Sequence, residues 1–129
     1  MNRERALKIM LVLVGLLFTA GIIPATMILW GRDKSGYGDA MMLSLYFTLG
    51  IFLLLAVRNP SAHASLIAFA AWSSFAHGVV MAVLAFQIPS ERGELLIAVA
   101  ALVLIGVVLI ALAPAKQPVE QASPVGAQL

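Results

Sequence analysis

The chain has 129 residues, of which 62% are hydrophobic and only 11% charged, with a formal net charge of +2 and no cysteine. Soluble domains carry about 25% charged residues, so the composition excludes a soluble domain, and the small basic excess reads as charge flanking membrane helices rather than as a nucleic-acid footprint. The missing thiols exclude disulfides, thiol redox chemistry, cysteine-ligated metals and palmitoylation.

Four apolar stretches follow in order, over residues 6–30, 40–57, 61–88 and 95–113. Each is close to or longer than the roughly 20 residues that cross a hydrocarbon core. In lipid every backbone N–H and C=O must be satisfied internally, which leaves helices or a closed barrel. The runs are continuous rather than alternating, so helices are expected. The links between them are short, which forces antiparallel neighbours. The predicted fold is all-α: an antiparallel four-helix bundle embedded in the membrane over residues 1–115. A tail over 116–129, rich in Pro, Gln, Ala and Gly, is expected to be disordered.

Arg3, Arg5 and Lys8 precede the first stretch and resemble the charged start of a signal peptide. The apolar run continues to Trp30, however, and the candidate cleavage triplets place Phe18 or Ile23 where a small residue is needed. An uncleaved anchor is therefore expected. Pro24 removes one N–H and frees the carbonyl of Ala20, predicting a kink, with Thr19 and Thr26 placed to help satisfy the local backbone. The link after Trp30 holds Gly31, Gly36 and Gly38 and reads as a flexible loop. Between the second and third stretches, Asn59 fits a helix N-cap and Pro60 the first helical position. Pro89 ends the third stretch. Arg3, Arg5, Lys8, Arg58 and Lys116 fall on one side, against Arg32, Lys34 and Arg92 on the other. That bias predicts both termini in the cytoplasm.

Polar side chains inside the spans carry whatever chemistry the chain has. Counting inward at 1.5 Å per residue, Thr19 lies about 16 Å below Trp30, Thr48 about 13 Å below Asp39, and His77 about 16 Å below Ile88. Ser73 and Ser74 lie about one turn beyond His77. Ser44 shares a helix face with Thr48, and Tyr46 lies between them. Thr19, Ser44, Tyr46, Thr48, Ser73, Ser74 and His77 are thus candidate ligand or polar-network residues. They are read either as interhelical hydrogen bonds or as a site for an ion, a proton or a small polar ligand. Trp72 is expected inside the bundle with its N–H on a hydroxyl. Gly15 with Thr19, and Ala64 with Ala68, form small-residue pairs that allow close helix approach. The last stretch offers Gly106 and aliphatic side chains only.

Catalysis is not expected. No Asp or Glu lies within a span, no Ser-His-Asp set exists, and no cluster has metal-ligand spacing. His63 and His77 share a helix face about 21 Å apart, an arrangement used by membrane cytochromes, but one chain supplies no facing histidine. No cofactor and no metal are therefore assigned.

Small multidrug exporters carry a glutamate in the first span, fluoride channels an Asn in the first helix, and quinone-reducing thiol enzymes need cysteines; none of these features occurs here. The segments Leu43-Ser44-Leu45-Tyr46, Thr48-Leu49-Gly50-Ile51-Phe52, Arg58-Asn59-Pro60-Ser61-Ala62-His63, Ala71-Trp72-Ser73-Ser74, Ala76-His77 and Arg92-Gly93-Glu94-Leu95 have a counterpart. With Asn2-Arg3 and Leu7-Lys8 they resemble an uncharacterised bacterial family of small four-helix membrane proteins, a domain of unknown function. The resemblance covers the chain to Lys116. It implies a multi-pass protein of a bacterial inner membrane and brings no activity. The expected function is that of an interaction or accessory subunit. Its partners are the lipid bilayer and either a second copy or a larger membrane complex, with no nucleic acid. The alternatives are a small oligomeric transporter or channel using the mid-membrane polar cluster and, more distantly, a haem or quinone protein.

Overall fold

The computed structural model describes residues 2–32 and 35–114. The tail expected to be disordered, and Lys34 of the charge count, lie outside the described residues. Among the described residues, five α-helices and one 3-10 turn form four spans: α1 (Arg3–Thr19) with α2 (Ile22–Trp30), α3 (Tyr37–Ala56), a 3-10 turn (Pro60–His63) leading into α4 (Ala64–Gln87), and α5 (Arg92–Leu112). All four spans are long and apolar enough to cross a membrane. Among the described residues there is no strand.

Local sequence chemistry sets the helix ends. The Asn2 side chain accepts from the Glu4 N–H at 3.2 Å and caps α1, while Glu4 favours the positive helix start. The Lys8 ammonium lies 3.4 Å from the Glu4 carboxylate, one turn on. The first span is interrupted at Ala20 and Gly21, one turn ahead of Pro24. Proline cannot donate to Ala20, so the Ile23 N–H donates to that carbonyl instead, at 3.1 Å. The two threonines expected to help bond elsewhere: Thr19 donates to the Gly15 carbonyl at 2.6 Å and Thr26 to Ile23 at 2.8 Å. Pro60 opens the 3-10 turn, but the Asn59 side chain makes no cap bond. The Asn59 carbonyl serves there instead, pairing with the Ala62 N–H at 3.2 Å and with His63 Nδ1 at 3.0 Å. α4 stops at Gln87 because Ile88 precedes Pro89 and is held extended.

Arginines close two helix C-termini whose carbonyls have no partner within the helix. Arg92 Nε donates to the Ala85 carbonyl near the end of α4 at 2.9 Å. Arg3 reaches from the start of α1 to the end of α5, donating to Ala111 at 3.2 Å and Ala113 at 2.8 Å.

The bundle is a pair of hairpins. α1 and α2 pack along α3, and α4 packs along α5; between hairpins, α1 meets α5 and α3 only grazes α4. The core lies toward the end that carries Asn2 and Pro114. There Leu7, Leu11, Val14 and Phe18 form one stripe of α1 against Leu53, Ile67 and Leu109. α1 and α3 cross at Gly15 and Gly50, with backbone against backbone. α4 offers α5 its small side chains; a β-carbon on Gly78 would sit 3.8 Å from Leu102, and Phe75 stacks on Gly106. Ala68, expected in a close helix contact, is exposed, and the buried small residues of α4 are Ala70, Ala71, Ser74, Gly78 and Ala85. Trp72 also faces outward, 64% exposed, with its ring edge-on to Phe75 at 5.6 Å. The inward place expected for it is filled by Ala71 and Ser74, whose small volume permits the close α4–α5 approach.

Candidate functional site

The weak α3–α4 contact leaves a cleft of about 420 Å³ between those helices. α3 supplies Tyr46 and Thr48, α4 supplies Ser73 and His77, and the remaining wall is apolar, with Phe52 and Phe69 toward the Asn2 end of the bundle. The cleft opens sideways, since Leu45, Thr48 and Phe69 are exposed. None of the lining side chains is an Asp, Glu, Lys or Arg.

Tyr46 and His77 join the two hairpins. The phenol oxygen and His77 Nδ1 are 2.5 Å apart, and the two rings lie at 5.3 Å with a tilt of 48°. Phe18 of α1 meets the other side of the Tyr46 ring edge-on at 4.8 Å. Three helices thus fix the phenol. A second, smaller cavity of about 270 Å³ lies between the hairpins toward the opposite end, bounded by Phe18, Leu43, Met81 and Leu102. Tyr46 and His77 border both spaces and form the wall between them.

The hydroxyls of the other polar candidates donate within their own helices. Ser73 and Ser74 both donate to the Ala70 carbonyl, at 3.1 and 2.7 Å. Thr48 donates to Ser44 at 3.0 Å and Ser44 to Met41 at 2.6 Å. Each hydroxyl hydrogen therefore closes on its own helix, one turn back. Ser74 is fully buried, Ser44 is exposed outside the cleft, and Thr19 sits at the α1–α3 crossing against Gly50. Of the seven candidates, Tyr46, Thr48, Ser73 and His77 line one space. Residue types alone single out neither Phe18 as the support of Tyr46 nor the aromatic floor of Phe52 and Phe69. The equal depth of Tyr46 and His77 below the same bundle end is the signal that pairs them.

The Ser73 hydroxyl is thus turned to backbone rather than to the imidazole. Among the described residues no group of three side chains is placed to hold a metal ion. What the cleft offers is a pair of hydrogen-bonding groups at one end of an uncharged, apolar slot. Tyr46→Phe and His77→Leu are expected to be coupled. A double-mutant cycle on detergent-solubilised protein should return about 0.6 kcal/mol, and no more than about 2 kcal/mol. Strict additivity would show that the two groups do not bond across the hairpins.

A bundle of four membrane-length helices, with a lateral cleft between α3 and α4, defines a small multi-pass membrane protein. The chain belongs to a family of unknown function, DUF6632, whose model matches residues 3–126. That match runs beyond Lys116 into the tail. No curated protein and no solved structure matches the chain.

Proposed function

We propose that the protein is a non-catalytic accessory or interaction subunit of a bacterial inner membrane, with both termini in the cytoplasm. The observation that supports this reading is the self-satisfaction of its polar groups. Five hydroxyls bond to their own helices and the phenol bonds to the imidazole. No acid stands beside His77 among the residues that line its cleft. Without such an acid the Tyr46–His77 pair has no carboxylate in its cleft to orient it for acid–base work. The bundle's surface is a wide apolar exterior, with Met27, Trp30, Leu45, Phe86 and Ile97 each at least 71% exposed. Lipid and partner helices fit such a surface equally well, because packing rather than hydrophobicity decides association in a bilayer.

The test is mild-detergent capture of the tagged chain from native membranes with mass spectrometry. A larger membrane protein in stoichiometric amount is the expected result. A chain recovered only with copies of itself overturns the accessory reading. A second reading, a small oligomeric transporter, is favoured by one observation: Ser44 and Thr48 are both exposed, one turn apart on α3. Two such faces meeting in an oligomer would line a polar path beside the cleft. In that case His77→Ala abolishes flux in vesicles while leaving the protein folded and inserted.

A further inference from the structure

We infer that the α3–α4 cleft is a binding site for a neutral, hydrocarbon-soluble carbonyl compound of the quinone kind, held through Tyr46 and His77. This is independent of the accessory reading, which needs no small ligand.

Size and lining come first. A space of about 420 Å³ with mostly apolar walls and a few convergent polar groups is what small-molecule sites look like, within a range of about 300–1,000 Å³. The two groups also have hydrogen-bonding capacity left over. In their mutual bond one proton lies between the phenol oxygen and Nδ1, and the imidazole retains its second nitrogen. Ser73 and Thr48 have each donated their only hydrogen but keep oxygen lone pairs. The polar end of the cleft can therefore donate to a carbonyl from the Tyr46–His77 pair and accept from a hydroxyl on Ser73 or Thr48.

Charge and depth narrow the class. The lining holds no carboxylate to receive a cation and no Lys or Arg to receive an anion. A charged head placed there would be buried without a partner, which is expensive. Tyr46 is nine residues into α3 and His77 ten residues before the end of α4, so the polar end lies about 14 Å inside the bundle. A phospholipid keeps its head at the interface and cannot offer it at that depth. The matching molecule dissolves in the hydrocarbon and carries its hydrogen-bonding group there. Its ring meets Tyr46 and His77, and its alkyl tail runs past Leu49 toward Phe52 and Phe69 or leaves through the open side.

The experiment titrates decyl-benzoquinone into the full chain in nanodiscs and follows the imidazole resonances of the two histidines by NMR. His63 is an internal control, bonded to the Asn59 carbonyl outside the cleft. The His77 signal is expected to shift saturably while the His63 signal stays in place. Tyr46→Phe should weaken binding about tenfold, the equivalent of one hydrogen bond. Thr48→Trp fills the mouth from an exposed position and should abolish it with the Tyr46–His77 bond intact, which keeps the test valid if Tyr46→Phe misfolds. Decylbenzene, with the same tail and no carbonyl, and decanoate, with a charged head, should leave His77 unshifted. Equal shifts of both histidines would mean bulk partitioning and would overturn the site. So would unchanged affinity in Thr48→Trp, or decanoate binding as tightly as the quinone.

Discussion

Gly50→Ala is expected to destabilise the bundle more than alanine at any of its other interhelical glycines. A β-carbon built on Gly50 lies 2.6 Å from Thr19 Oγ1, 2.7 Å from the Thr19 nitrogen and 2.8 Å from the Gly15 carbonyl oxygen. Two of those three atoms are backbone and cannot rotate away, so α1 and α3 must separate. The cost expected for such overpacking is about 1–3 kcal/mol, at the upper end here. Alanine at Gly106 meets the ring of Phe75 at 2.7 Å, and at Gly15 the Leu54 side chain at 2.8 Å, with the nearest backbone, the Gly50 carbonyl oxygen, at 3.1 Å. Side chains give way where backbone does not, so these two should cost less. At Gly78 the nearest atoms are 3.8 Å away, and alanine there should be neutral or should stabilise α4 by up to about 1 kcal/mol through its helix propensity. Unfolding in mixed micelles ranks the four variants. A Gly50→Ala protein as stable as Gly78→Ala would refute the backbone crossing.

Leu53→Ala is the second large effect. Leu53 is fully buried in the cluster that holds all four spans together. In soluble proteins such truncations cost about 2–5 kcal/mol through lost transfer energy and a residual cavity. Lipid is as apolar as a leucine side chain, so most of the transfer part vanishes between bundle and bilayer. The cavity and lost dispersion contacts remain, and about 2 kcal/mol is expected. Leu104→Ala removes the same atoms from a position 63% exposed on α5 and should cost close to nothing. The difference between the two measures packing alone. Equal costs would mean that Leu53 is not in the core.

These variants also mark what could be read before folding. The spans were legible because a continuous run of apolar residues has one solution in lipid, and short links fix neighbours as antiparallel. Inside and outside were not, since hydrophobicity no longer separates them: Trp72 looked like a core residue and lies outside, while Ala71 and Ser74 beside it lie within. Size is the better guide in this solvent, as Gly15, Gly50 and Gly106 show. Pro24 announced a distortion of the first span, but the interruption appears at Ala20 and Gly21, where the carbonyl deprived of its donor resides. The polar candidates all lie within the helices. Their partners were illegible, because a Ser or Thr hydroxyl always has its own carbonyl one turn back as an alternative to a neighbour helix. Of the seven candidates, Tyr46 and His77 are the pair that bonds across the hairpins.

Arg3 ties the start of α1 to the final carbonyls of α5, and this gives the protein an order of construction. The Gly15–Gly50 crossing uses neighbouring spans, so the first hairpin can close while the ribosome is still making α4. The α4–α5 hairpin can close in the same way. The ties across the two, Tyr46 to His77 and Arg3 to Ala113, span long stretches of sequence and must wait for the later helices. The last of them forms only once α5 has been released into the bilayer. The rim at the Arg3 end closes only when α1 and α5 are both in place.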